Sequence, residues 1–303
     1  MNNSNIYSFP DAKGIVVSGD IHGDYEKLVY KCCEQYSFTD TLIVVAGDCG
    51  FGFMKPGYYE NIYLKLSSRL EKANNWMVFI RGNHDNPAYF DGQQVNYKRW
   101  KAVPDYTILK ACGHTILCVG GAISTDRSWR KKREYEEEYF RRLNQEFRYP
   151  EPARYSLTAA LYWPGERPVY DETKLEAIGK DYAVDVVITH TAPSFCQPVR
   201  RNNIQDWLIR DEDLLDHVKY ERKVMDKICG YLKEHGHPLQ HWYYGHFHKS
   251  WHEEIDGIKY HLLDIMQIHQ LEPDDDAFNK RAEKEYNEKR MELLQLAAQF
   301  FIF

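Results

Sequence analysis

Residues 14–24 read GIVVSGDIHGD, a short β-branched run that ends in a polar cluster flanked by glycine. Runs of this kind predict buried strands that terminate in a tight polar loop. The pattern returns further along the chain as Thr41–Ala46 before GDCGFG, Trp76–Ile80 before RGNHD, Val184–Thr189 before His190, and His241–Tyr244 before GHFH. Gly19, Gly47, Gly82 and Gly245 stand at these strand ends and are expected to allow tight backbone turns.

Helical patterns separate the predicted strands. The amphipathic stretches are Tyr25–Tyr36, Tyr58–Ala73, Asp211–Glu234, a charged surface helix at Arg133–Phe147 and a last helix at 274–299. Two further short strands are expected at Thr115–Val119 and Ile258–Leu263. Alternating strands and helices predict an α/β layered fold, in which ligands bind beyond the carboxyl ends of the strands.

The polar residues at these strand ends form a set of metal-binding side chains. They are Asp20, His22, Asp48, Asn83, His84, His190, His246 and His248. Imidazoles and carboxylates without thiolates suit divalent Mn, Fe, Zn or Ni. The set is larger than one tetrahedral ion would use, so it favours two divalent metal ions.

The motifs GDIHGD, GDCG, GNHD, TH and GHFH, in this order, resemble those of the calcineurin-like metallophosphoesterase family. The resemblance implies a β-sandwich of two mixed sheets flanked by helices, where the residue pattern alone gives only α/β. It also implies a ligand set: Asp20, His22 and His248 for one ion, Asn83, His190 and His246 for the other, and Asp48 for both. His84 would be unligated and next to the substrate.

The charges of such a centre favour phosphate chemistry. Two divalent ions and two carboxylates leave a net positive site, and paired metal ions lower the pKa of a shared water towards neutrality. The expected reaction is in-line attack of metal-bound hydroxide on a phosphate ester. His84 would assist the leaving group with a pKa near physiological pH, and Asp85 would help to orient it.

Substrate contacts are expected from Asn83 and from GGAISTDRSWRKK, residues 120–132. Arg127 or Arg130 in that segment could grip phosphate oxygens with paired hydrogen bonds. The alternative is a solvated basic helix start, since basic residues alternate with glutamates from Arg133 to Arg142. The second motif reads GDCGFGF and lacks the Asp and Arg of the GDxVDRG segment of phosphoprotein phosphatases, so an arginine from residues 120–132 would have to substitute.

Composition bounds the remaining possibilities. The 303 residues are 43% hydrophobic and 28% charged, which predicts a globular chain. The positions of the motifs predict a single domain over 1–303, with a core at 14–270 and a helical extension at 274–303. Seven cysteines without paired spacing and an N-terminus without a secretory signal favour a cytoplasmic, reducing location. The net charge of −6 argues against extended nucleic acid. The apolar stretch Leu293–Phe303 is too short for a membrane span.

The sequence therefore predicts a binuclear metal-dependent phosphoesterase acting on a small phosphorylated substrate. The alternatives are a small-substrate phosphodiesterase or dinucleotide hydrolase, a nuclease, and a non-catalytic scaffold of the same fold. The C-terminal helix is expected to dock on the body or to form a homodimer. Five further histidines have no glycine at a strand end beside them and are assigned no role: His114, His217, His252, His261 and His269.

Overall fold

The computed structural model describes residues 5–55, 57–133, 162–199, 204–273 and 276–300, with side chains to 295. The strands are β1 Ile6–Ser8, β2 Gly14–Ser18, β3 Thr41–Val45, β4 Trp76–Phe79, β5 Asn96–Tyr97, β6 Trp100–Ala102, β7 Thr107–Ala111, β8 His114–Val119, β9 Val186–Thr189, β10 His241–Tyr244, β11 Trp251–Ile255, β12 Ile258–Leu262 and β13 Ile268–Glu272. The helices are α1 Tyr25–Tyr30, α2 Tyr58–Lys72, α3 at residues 127–133, α4 Glu172–Asp181, α5 Gln205–Leu208, α6 Leu214–Glu234 and α7 Asp276–Phe300. A π-helical turn at Lys31–Gln35 continues α1, and a 3-10 turn spans Pro87–Phe90.

The strands form two mixed sheets. The seven-stranded sheet has the order β1-β7-β8-β9-β10-β12-β11, and the six-stranded sheet has the order β13-β2-β3-β4-β6-β5. The central strands β2, β3, β4 and β6 run parallel, as do β8, β9, β10 and β12. Parallel pairing brings the carboxyl ends of neighbouring strands to one edge of each sheet.

The core lies in three layers, one between the sheets and one beneath each set of helices. Alternation along β2 shows why, because Ile15 and Val17 pack between the sheets while Val16 packs towards α1 and α2. The other sheet packs against α4 and α6 through residues such as Val187. This arrangement confirms the predicted β-sandwich of two mixed sheets flanked by helices.

Element boundaries differ from the sequence expectation in a few places. The helix expected at Arg133–Phe147 begins earlier, since residues 127–133 are helical, and the rest of that range lies outside the described residues. The helix expected from Asp211 begins at Leu214. Strand β1 extends the seven-stranded sheet on the N-terminal side of the expected core.

The C-terminal helix α7 docks its first half on the body. Phe278 and Ala282 are buried in the layer that covers the six-stranded sheet. The Asn279 side chain exchanges two hydrogen bonds with the backbone of Gln270, in β13. None of the helices in the described parts of the chain has the length and apolar character that a bilayer crossing requires.

Candidate metal centre

Five loops, each directly after a strand, meet at one end of the sandwich. They follow β2, β3 and β4 in one sheet and β9 and β10 in the other, and they carry the histidines and carboxylates predicted from the sequence. The rigid sheets therefore fix the starting points of these side chains.

The first group consists of Asp20, His22, Asp48 and His248, whose potential ligand atoms all lie within 4.8 Å of one another. The Nε2 atoms of His22 and His248 face each other at 3.2 Å. Asp20 Oδ2 lies 3.0 Å from His248 Nε2, yet it is buried and accepts no hydrogen bond from the described residues. An unsatisfied carboxylate oxygen beside two converging ring nitrogens is a donor set that suits a divalent cation.

The second group surrounds His190. Its Nδ1–H donates to the Ala46 carbonyl at 2.7 Å, so Nε2 points towards Asn83 Oδ1 at 3.0 Å and Asp48 Oδ1 at 3.3 Å. A backbone partner of this kind fixes the ring of a metal-binding histidine. Burial alone would lower the pKa of His190, but the nearby Asp48 outweighs it and the pKa rises to about 9. The negative charge of Asp48 thus favours positive charge beside Nε2, which a proton or a metal ion can supply.

His246 completes this side of the site. Its ring centroid lies 5.0 Å from that of His190, and its backbone N–H donates to Asp20 Oδ1 at 3.0 Å.

Asp48 lies between the two groups. Although burial raises its pKa, the neighbouring His84 and His190 hold the pKa of this carboxyl well below its ordinary value. An ionised carboxylate that is 1% exposed needs positive partners, and potential metal-binding atoms of both groups lie around Asp48.

His84 lies beside the two groups with its Nε2 3.8 Å from Asp48 Oδ2. Arg130 Nη2 donates to this Nε2 at 3.0 Å, and Arg130 Nε donates to Asp126 Oδ1 at 2.8 Å. Burial is the main cause that lowers the pKa of His84 to about 4, and Arg130 adds to it. His84 is thus a neutral acceptor at pH 7, which differs from the sequence expectation of a pKa near physiological pH.

The two candidate phosphate-binding arginines have different surroundings. The guanidinium of Arg127 forms a fork on Asp211, with contacts of 2.6 and 2.9 Å, and also contacts His217. The structure therefore places Arg127 in an ion pair, whereas it places Arg130 against His84 at the candidate centre.

Asp85 lies beneath the centre, where its carboxylate accepts hydrogen bonds from four backbone N–H groups. The donors are Gly82, Cys49, Gly50 and Phe51, at 2.7–3.0 Å. The structure thus differs from the expectation that Asp85 orients the His84 ring, because Asp85 instead ties the loops after β3 and β4 together.

Two residues without an individual predicted role continue the second group. The Asn83 amide donates to Ser124 Oγ at 2.8 Å, and Ser124 Oγ donates to the buried carboxylate of Glu166 at 2.6 Å. The Arg81 guanidinium donates to the backbone carbonyls of Gly165 and Glu166, both at 2.8 Å, and so holds the loop that carries Glu166. No local sequence signal marks these residues, since they meet only through tertiary contacts.

Comparison with known proteins gives one family match. A profile of the calcineurin-like phosphoesterase family matches residues 14–250, which include all five strand-end motifs. No curated protein matches the chain.

Several solved structures are similar to the chain. A Thermus thermophilus protein aligns with a TM-score of 0.45 and 14% identity, over 84% of this chain and 91% of that one. A dimetal phosphatase from Danio rerio aligns with a TM-score of 0.43 and 12% identity, over 85% and 88%. A phosphopantetheinyl hydrolase from Mycobacterium tuberculosis aligns with a TM-score of 0.38 and 16% identity, over 87% and 97%.

Proposed function

The chain belongs to the calcineurin-like phosphoesterase family, and from this premise we propose that it is a binuclear metal-dependent hydrolase of phosphate esters. The observation that carries the proposal is the position of Asp48. One of its oxygens lies 3.3 Å from His190 Nε2, and the carboxylate also belongs to the cluster of Asp20, His22 and His248.

The donor set divides around this carboxylate. Asp20, His22 and His248 would hold one ion, Asn83, His190 and His246 would hold the other, and Asp48 would contact both. Nitrogen and oxygen donors without thiolate favour Mn, Fe, Zn or Ni. When bound, such a pair supplies positive charge for phosphoryl oxygens and lowers the pKa of water.

The other side chains of the site bind and orient the substrate. Arg130 donates hydrogen bonds to phosphoryl oxygens from the side of the centre where His84 lies. His84 would assist the leaving group through Arg130: its Nε2 accepts a 3.0 Å hydrogen bond that holds the guanidinium in place, and the positive charge of Arg130 would stabilise the departing oxygen. Asn83 is kept in one orientation by Ser124, so its amide oxygen stays turned towards His190.

The test is turnover of a chromogenic phosphomonoester and a chromogenic phosphodiester with Mn, Fe, Ni or Zn. We expect metal-dependent hydrolysis that Asp48→Asn abolishes. Asp40→Asn is the matched control, because Asp40 forms a surface ion pair with Lys13 and should leave turnover unchanged. Full activity in Asp48→Asn would overturn the role of the shared carboxylate and with it the proposed centre. No metal-dependent turnover of either ester would overturn the proposed hydrolase and favour a scaffold.

The ratio of the two rates separates the substrate classes. A higher monoesterase rate would assign the chain to the phosphatases, and a higher diesterase rate to hydrolases of small diesters or dinucleotides. The net charge of −6 makes an extended nucleic acid the least favoured substrate.

A further inference from the structure

A second cluster of histidines lies outside the proposed centre. His252, His261 and His269 each offer one ring nitrogen, and these nitrogens lie within 4.8 Å of one another. Among the described residues, this triad and the Asp20 group are the two clusters with such spacing. We refer to these three residues as the histidine triad.

The histidine triad joins the edges of the two sheets. His252 and His261 face each other as a cross-strand pair of β11 and β12, and β11 is the last strand of the seven-stranded sheet. His269 lies on β13, which is the first strand of the six-stranded sheet. Three consecutive strands thus bring their imidazoles together from both layers of the sandwich.

The rings point nitrogen to nitrogen. His252 Nδ1 and His261 Nδ1 are 2.9 Å apart, so both rings direct a nitrogen towards the same point. On its other side, His261 Nε2 lies 3.2 Å from His241 Nδ1, and His269 Nδ1 lies 3.1 Å from the Tyr243 hydroxyl. Metal-binding histidines usually donate their second ring N–H to a fixed acceptor. Here an imidazole nitrogen and a hydroxyl occupy that position for His261 and His269 and can fix the two rings.

The surroundings favour the neutral imidazoles that bind metal. His261 is 6% exposed, and burial lowers the pKa of both His261 and His269, the latter to about 3. Glu283 on α7 places a negative charge near His252. Three neutral nitrogen ligands suit borderline ions such as Zn²⁺, Ni²⁺ or Co²⁺, with water as the fourth ligand. Mg²⁺ and Ca²⁺ prefer oxygen ligands and do not suit this site.

We propose that His252, His261 and His269 bind one borderline transition-metal ion at a site separate from the proposed catalytic centre. The bound ion would tie β11 and β12 of one sheet to β13 of the other. The proposal does not depend on the proposed function, because none of the three residues belongs to the donor set around Asp48.

The experiment measures zinc bound per chain. The full chain is stripped with a chelator, equilibrated with Zn²⁺ and analysed for metal by elemental analysis. We expect His252→Gln and His269→Gln each to bind one equivalent less than the unsubstituted chain. His235→Gln is the matched control, since the His235 ring stacks on Tyr231 away from the triad, and it should bind as much zinc as the unsubstituted chain.

A second measurement, of Tm with and without Zn²⁺, distinguishes loss of the metal site from misfolding of the variant. In an Asp48→Asn background, Zn²⁺ should raise the Tm, and adding His252→Gln should remove most of that rise while the circular dichroism spectrum stays unchanged. Equal zinc content in the unsubstituted chain and both triad variants would overturn the proposal. An equal loss of zinc in His235→Gln would overturn it as well. Because the readout is a difference between variants, it stays decisive even if the chain hydrolyses no phosphate ester.

Discussion

Four of the side chains proposed as ligands project from backbone that L-amino acids rarely adopt. His22, Asp48, His246 and His248 have φ values of 45°, 46°, 69° and 48°. A left-handed conformation costs about 1 kcal/mol for a residue with a Cβ, and such residues cluster at functional sites, where the surrounding fold offsets the cost. The strained backbone therefore sets the positions from which these four side chains project into the site.

Gly82 is needed for close approach, and this gives the first prediction. A Cβ at Gly82 would lie 2.1 Å from both the backbone nitrogen and Oδ1 of Asp48, so Gly82→Ala must displace that carboxylate. Since a misplacement of about 1 Å can cost roughly 100-fold in rate, we expect a loss of kcat/KM of that order.

The matched control for Gly82→Ala is Gly230→Ala, towards the carboxyl end of α6. An added Cβ at Gly230 meets nothing within 4 Å, so this variant should keep its activity. It should also gain up to about 1 kcal/mol in free energy of unfolding, because alanine is the better helix former. Normal kcat/KM in Gly82→Ala would show that Asp48 tolerates displacement.

Ser124 should act as a positioning residue through Asn83. Ser124→Ala removes the hydroxyl that accepts from the Asn83 amide, so that amide can rotate away from His190. Loss of such outer contacts typically lowers metal affinity or activity roughly 10–100-fold. The measurement is the metal concentration that gives half-maximal activity, with the surface variant Ser67→Ala as control. Unchanged metal dependence in Ser124→Ala would contradict this role.

Glu166 should make stability depend on pH. Burial is the main cause that raises its pKa from 4.5 to about 7, so the folded chain binds a proton that the unfolded chain has lost in this window. The stabilisation by this proton is complete below about pH 4.5 and is lost as the pH rises to about 7, by up to about 1.4 kcal/mol per pH unit. Urea unfolding should therefore show a fall in this window that Glu166→Gln lacks. Parallel pH profiles of the two proteins would rule this out.

At the scale of elements, the sequence predicts those strands that are buried on both faces. All five residues of β2 and of β3 are buried, so their apolar runs are continuous and easy to identify. The edge strand β11, WHEEI, has no buried residue and no clear alternation, so its sequence gives no strand signal.

The same distinction explains which site residues the sequence predicts. Asp20 and Asp48 closely follow the buried strands β2 and β3, so the local sequence pattern predicts them as site residues. Ser124 and Glu166 meet across 42 residues, and the histidine triad depends on strand register and on the packing of two sheets. Local sequence carries none of that information. The reason for the strand-end glycines also differs from one position to another. Gly47 has a φ of 94°, as a tight turn requires, whereas Gly82 and Gly245 are needed because Asp48 and Asp20 approach them closely.

The docked half of α7 should contribute to stability. Ending the chain at Glu272 removes Phe278 and Ala282 from the core, and the loss of a buried aromatic side chain costs about 3 kcal/mol or more. Ending it at Arg290 keeps these contacts and removes the exposed Met291, Leu293 and Leu294. We therefore expect a clear fall in Tm for the shorter chain and little change for the longer one.

Light scattering on the chain that ends at Arg290 tests the oligomeric state. If α7 serves docking alone, we expect the shortened chain and the full chain to have the same number of subunits. Conversion of a dimer to a monomer would assign the exposed residues to a homodimer interface. Equal Tm values for the two shortened chains would contradict the docking role.

At the scale of the whole molecule, the proposed centre connects the two sheets. Asp20, Asp48 and Asn83 follow strands of the six-stranded sheet, while His190 and His246 follow strands of the seven-stranded sheet. The unfolded chain cannot bring these residues together, so metal bound at the centre should stabilise the folded state and hold its layers in place.

Metal removal should therefore lower the stability of the whole chain. An ion present at about 100 times its Kd stabilises the folded state by about 2.7 kcal/mol, which corresponds to several degrees in Tm for a chain of this size. We expect a chelator to lower Tm by that amount and Mn²⁺ to restore it, since Mn²⁺ suits the carboxylates of the centre better than it suits three imidazoles. Asp48→Asn should respond far less to both treatments, because it lacks the carboxylate that both ions would share. If the active protein keeps its Tm in the chelator while it loses turnover, the centre serves catalysis alone and the sheets are held by their apolar core.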